Sequence, residues 1–192
     1  GRFYDAKRPS VDPVGLASED EVRVLRQAHL AAFVRLLAEL DVFVFTLGLT
    51  EAWRSREDGS VFPVAPGVLC GEYRPEAHEF VNFDMFAVHE DLTAFHALLK
   101  SVNPNARMLL TVSPVPLIAT ASVEHVLVAT TYSKSVLRAV AGALADRLSD
   151  CHYFPSYEII SSHPARGMFF DPDLRGVNDR GVVFVMEPFF RA

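Results

Sequence analysis

The sequence predicts one soluble α/β domain, a parallel sheet with helices on both faces. Three observations carry this expectation. Short continuous apolar runs, Val42-Phe43-Val44-Phe45 and residues 107–112, suit strands buried on both sides. Between them lie segments of ten or more residues with apolar positions at helical spacing. Strand and helix alternate along the chain, an order that favours parallel pairing through helical crossovers.

Taken in order, residues 1–17 are rich in proline and polar residues and read as a loop. Ser18 is placed to cap a helix, with Glu21 three residues on to complete a capping box. Val24, Leu25, Ala32, Phe33, Leu36 and Leu37 continue an amphipathic pattern to about Leu40, just before the first strand. Residues 53–83 are broken by Asp58-Gly59, Pro63, Pro66-Gly67 and Pro75, so they read as a long irregular excursion. Helical spacing resumes over residues 85–99 and stops before Asn103-Pro104. After the second strand, Ser113-Pro114 opens a loop that runs to Ser133, the expected cap of the next helix. Tyr153-Phe154 is a short strand, and a last helix spans about residues 178–189.

Composition narrows the functional classes. Half of the 192 residues are hydrophobic and 22% are charged, which excludes a disordered chain. The net charge of -6, without a basic block, leaves no electrostatic footprint for nucleic acid. No apolar run approaches the roughly 20 residues of a membrane span. Cys70 and Cys151 are too few and too separate for a metal set, and two thiols in a chain of this size fit a reducing compartment, hence the cytoplasm. The chain begins at Gly1 without a methionine, and residues 1–5 resemble mid-domain sequence, so a fragment is expected. There is no GxSxG elbow, GxGxxG, phosphate loop, HExxH or CxxC motif, and therefore no cofactor or metal is expected.

In a parallel α/β sheet, ligands bind beyond the carboxyl ends of the strands. That directs attention to the turns after Phe45, Val112 and Phe154. Gly48, Thr50 and Glu51 follow the first strand; the glycine permits a tight turn and close approach of a ligand to the backbone. Asn82 closes the excursion, and Ser113 follows the second strand. Ser133 and Lys134 are placed to hold an anionic group at a helix start. His125, beside Glu124, can act as acid or base near neutral pH, and Glu158 or Asp173 can orient it. Each residue also has an ordinary structural explanation: a glycine turn, a satisfied hydroxyl, an exposed histidine, a solvated lysine.

Four ordered blocks resemble those of the GSCFA family. They are Thr46-Leu47-Gly48-Leu49-Thr50-Glu51-Ala52-Trp53, Thr111-Val112-Ser113-Pro114-Val115-Pro116-Leu117, Ser133-Lys134-Ser135-Val136-Leu137-Arg138 and Tyr153-Phe154-Pro155-Ser156-Tyr157-Glu158-Ile159. That family is similar to the SGNH/GDSL hydrolases, so the resemblance implies a flavodoxin-like sheet and hydrolysis or transfer of an ester-linked acyl group, with a small molecule or carbohydrate as carrier. It implies that Gly48, Asn82 and Ser133 line the oxyanion and substrate region, with His125 as base. Two departures are visible. The Gly-Ser-Cys-Phe-Ala block that would supply a serine nucleophile is not among these residues, which implies that the first strand lies upstream and that the chain alone is inactive. Where related sequences carry Asp-x-x-His, this one reads Asp173-Leu174-Arg175-Gly176, leaving His125 or His163 as substitutes. Two alternatives follow: a carbohydrate- or acyl-ligand-binding module of the same fold, and an interaction protein that docks through the excursion.

Overall fold

Strands β1 (Val42–Leu47), β5 (Arg107–Val112) and β6 (Cys151–Phe154) form a parallel sheet in the order β1-β5-β6 in the computed structural model, which describes residues 1–191. Register is set by alternation, with Phe43 opposite Met108, Phe45 opposite Leu110 and Leu47 opposite Val112. Met108, Leu110 and Val112 are almost wholly buried and pack against α3 (Val126–Arg147) through Leu137, Val140 and Leu144. Helix α2 (Met85–Val102) adds Leu92 and Phe95, and the Phe95 ring meets Phe43 at 5.1 Å. A short helix α4 (Ser156–Ser161) and the terminal α5 (Asp179–Phe189) complete the helices around this sheet, with Ile160 and Phe169 buried in a second apolar cluster. A parallel sheet flanked by helices is the flavodoxin-like class expected from the sequence.

Tight contacts divide the chain into two compact units. Residues 41–50 and 84–192 form the unit just described; residues 1–40 and 51–83 form the other. In that second unit α1 (Glu19–Glu39) starts as expected: the Ser18 hydroxyl accepts from the Glu21 N–H at 3.2 Å, and the Glu21 carboxylate accepts from the Ala17 N–H at 2.9 Å. Asp5, almost fully buried, ties the N-terminal loop to this helix by pairing with Arg8 and Arg26. The arginine beside it holds its carboxyl well below the usual range.

Three expectations are corrected. The excursion is ordered: β2 (Glu51–Ser55), β3 (Val61–Phe62) and β4 (His78–Asn82) make an antiparallel sheet in the order β3-β2-β4. Its proline and glycine residues stand in the turns between short strands, which hid the strands from a search for long runs. β1 is not buried on both faces: Val42 and Val44 on the reverse face remain 39% and 47% exposed. It is the edge strand of the described sheet, so no second neighbour brings helices over that face. Finally, α3 begins at Val126, well before Ser133, because the His125 ring caps it by accepting from the Leu127 N–H at 3.2 Å.

At the amino end of β6, Asp150 accepts from His96 at 2.9 Å and pairs with Lys100 at 2.7 Å. Lys100 and then His96 hold the Asp150 carboxyl below its ordinary value of 3.8. A depressed folded value stabilises above the unfolded value and is lost as pH falls through the folded one. Asp150→Asn is therefore expected to flatten the decline of the thermal midpoint as pH falls below about 4; an unchanged acid limb in a pH-resolved melting series contradicts this role.

Candidate active site at the strand ends

The carboxyl ends of the three parallel strands carry a set of buried and half-buried polar contacts. Helix α3 runs past the end of β1 with Ser133 and Lys134 on its inner face, both essentially unexposed. The Ser133 hydroxyl accepts from the Thr50 backbone N–H at 3.2 Å and shares a hydrogen bond with the Thr50 hydroxyl at 2.6 Å. At the next residue, the Lys134 ammonium donates to the Gly48 carbonyl at 2.8 Å. The turn after β1 is thus anchored from behind by two neighbouring helix residues. Burial pushes the Lys134 amine down from 10.5 to about 8, because the charged form has lost its water.

Anchoring one side of this turn orients the other. The peptide unit is planar, with its C=O and N–H pointing in opposite directions. With the Gly48 carbonyl turned to Lys134, the Leu49 N–H on the same peptide is turned the opposite way, and it has no hydrogen-bond partner among the described residues. Gly48 itself lacks the positive φ that would demand glycine, and a Cβ built there meets nothing within 4 Å. Neither fold nor neighbours require a glycine at this point. The missing side chain leaves the backbone at this turn unobstructed.

The ends of β5 and β6 are joined in the same manner. The Ser156 hydroxyl donates to the Val112 carbonyl at 3.0 Å and meets the Thr111 hydroxyl at 2.5 Å. Glu158 uses one oxygen for Arg138 and the other for the Tyr153 hydroxyl at 2.8 Å, while the Arg138 guanidinium lies 4.1 Å over the Tyr153 ring. Burial, then the hydrogen bond to Glu158, drives the Tyr153 hydroxyl well above its ordinary value. All four motif blocks noted in the sequence contribute to this network.

Of the residues singled out by sequence, the structure gathers Gly48, Thr50, Ser133 and Lys134. Ser133 and Lys134 lie inside α3, not at its start, so they offer no helix-terminal anion site. Ser113 sits at the end of β5, its hydroxyl accepting locally from the Val115 N–H at 3.2 Å. Glu51 and Asn82 belong to the second unit, where they face each other across β2 and β4. His125 precedes Ser133 by eight residues, about 12 Å along the helix axis. Its Nδ1 accepts the capping hydrogen bond from the Leu127 N–H. Asp173 is fully exposed and accepts from the Arg175 and Gly176 N–H groups, which lower its carboxyl, and no histidine stands among its hydrogen-bond partners. At Gly176 a Cβ would lie 2.6 Å from the Asp171 carboxylate, so a histidine there requires that side chain to move. His163 opens a short 3-10 helix (His163–Ala165).

The family model for the GSCFA family matches residues 3–189. The chain belongs to the GSCFA family. No curated protein matches it. The clamp of the GSCFA chain escaped the sequence reading because the helix start was placed at Ser133. With α3 starting at Val126, Lys134 shares a face with the buried Leu137 and Ala141, three and seven residues on, and a lysine at the edge of an apolar stripe is the signal. His89, in α2, was not singled out either, although its Nε2 is buried without a partner among the described residues. No helix is long and apolar enough to cross a membrane, and no cluster of three metal-ligating side chains occurs, both among the described residues.

Two substitutions separate these roles. Ser133→Ala removes both bonds to Thr50 and is expected to cost about 2 kcal/mol in denaturant unfolding. His125→Ala removes a helix cap and is expected to cost about 1 kcal/mol. Equal stability of either variant and the parent protein contradicts the assignment.

Proposed function

We propose that this GSCFA protein cleaves or transfers an ester-linked acyl group, with the turn after β1 holding the oxyanion. One observation carries the reading: the Gly48 turn is fixed from behind by Lys134 and Ser133 while its front is open. Attack on an ester carbonyl turns its oxygen into an oxyanion, and fixed N–H donors stabilise that charge without reorganising. The Leu49 N–H is such a donor. Lys134 acts through the Gly48 carbonyl as a positioning residue and does not touch the substrate.

In this proposal the attacking oxygen is the serine of the block for which the family is named, as in the SGNH/GDSL hydrolases the family resembles. The serine oxygen bonds to the acyl carbon, its proton passes to a base, and the alcohol leaves as the tetrahedral intermediate collapses. A second attack, by water or another alcohol, decides between hydrolysis and transfer. Carbohydrate is the proposed acyl carrier, by analogy with that resemblance alone. A second reading is favoured by the engagement of Glu158 and Asp173 with other partners: a module that binds an acylated sugar without turning it over.

Full-length protein assayed with p-nitrophenyl acetate distinguishes the two. Gly48→Ala is expected to be neutral or to stabilise by up to about 1 kcal/mol, since its backbone is compatible with alanine, yet to lower kcat/KM about a hundredfold. Lys134→Met is expected to lower kcat by a similar factor, on the scale of one lost oxyanion donor. Absence of turnover, together with no adduct from a serine-directed phosphonate, rejects the ester chemistry. Turnover lost in His125→Ala at an unchanged thermal midpoint identifies that histidine as the base.

A further inference from the structure

The second compact unit contains a cavity of about 600 Å³ between the N-terminal loop and the segment running from Phe62 to His78. This volume lies within the range that encloses a small molecule. None of its wall residues belongs to the strand-end cluster, and the inference does not depend on the acyl-ester reading. We propose that this cavity binds an amphiphilic monoanion, an acyl or aryl chain ending in a carboxylate.

The apolar part of the wall comes from Phe3, Phe62, Val64 and Leu69. Phe3 and Leu69 remain 43% and 53% exposed, leaving apolar surface that a chain would cover. The wall is held in place before any ligand arrives. Phe3 pairs with Leu16 through two backbone hydrogen bonds, 3.0 and 2.8 Å long. The buried Asp5 fixes the loop after it through Arg8, Arg26 and the Lys7 N–H. Phe62 meets the His78 ring edge-on at 5.4 Å, and the Lys7 ammonium stands 5.7 Å over the Phe62 ring while donating to the Val61 carbonyl.

The polar part selects charge. Arg2, Arg74 and Glu72 contribute two positive charges and one negative, a surplus of one, which favours a monoanion. The Arg74 guanidinium has no hydrogen-bond or ion-pair partner among the described residues, so its donors remain for a ligand. His78 Nδ1 accepts from the Arg74 N–H at 3.0 Å, which leaves the neutral ring's proton on Nε2 as a second donor. A carboxylate accepts from both; an alcohol of the same chain length gains less.

The protein carries its own reporter. Trp53, the sole tryptophan, meets Tyr73 at 5.1 Å, and Tyr73 stacks on the cavity residue His78 at 6.0 Å. Decanoate and decanol, each kept below its aggregation limit, can be titrated into the protein by calorimetry and by Trp53 fluorescence. The expected result is one saturable site with decanoate at least about tenfold tighter than decanol, on the scale of one charge-assisted hydrogen bond. Arg74→Gln should erase that preference. Leu69→Asp, at an exposed position that leaves the fold intact, should weaken decanoate at least about tenfold. No saturable signal with either amphiphile, equal affinity for the two, or binding that neither substitution changes overturns the proposal.

Discussion

A buried ammonium facing a single backbone carbonyl organises this site. Lys134 has given up nearly all its contact with water inside α3, and the Gly48 carbonyl is the acceptor that meets it. Such burial is costly for a charge unless a well-placed dipole faces it. The partner lies at the end of a strand, so the interaction also decides which way a peptide at the mouth of the sheet points. An apolar residue at 134 would fill the same buried position without directing that peptide. The fold therefore carries a charge where a methylene chain would suffice for packing, and the turn after β1 is the element that benefits.

The other contacts extend the same constraint across the sheet. Ser133 holds Thr50, so the turn is fixed at both ends. Ser156 ties the end of β5 to the start of α4, and Glu158 joins α4 to both Arg138 in α3 and Tyr153 in β6. Three strand ends and two helices are thus linked by side chains above an apolar layer that needs only shape. The layer below, Met108, Leu110, Val112, Leu137, Val140 and Leu144, supplies the hydrophobic stability. The polar layer supplies direction. Each well-satisfied member is conformationally restricted by the rest, which suits a site whose donors must not move as charge develops.

Much of the fold was legible in the sequence because it is written in local periodicity. Ser18 with Glu21 marked the start of α1, Asn178 the start of α5, and the run ending at Val112 marked the central strand. What escaped was set by longer-range or shorter-scale physics. β2, β3 and β4 are brief and broken by turn residues, and their pairing arises from contacts between distant segments. The open face of β1 depends on its edge position, which a run of apolar residues does not reveal. The start of α3 turned on a histidine used as a cap, a role usually taken by Ser, Thr, Asp or Asn. At the strand ends, residue types did not reveal the partners: Glu158 and Asp173 are carboxylates suited to orienting a histidine, and other donors hold them.

The titration of Lys134 tests the clamp most directly. The chain has three lysines, Lys7, Lys100 and Lys134, so selective 13C labelling of the lysine ε-carbon gives a spectrum that Lys134→Met assigns by subtraction. A clamp built on a desolvated amine predicts a midpoint of about 8 for Lys134, with stability rising as pH increases from there towards the unfolded value. A midpoint at the ordinary 10.5 means that the amine is not desolvated as a buried clamp requires, and that result contradicts the account.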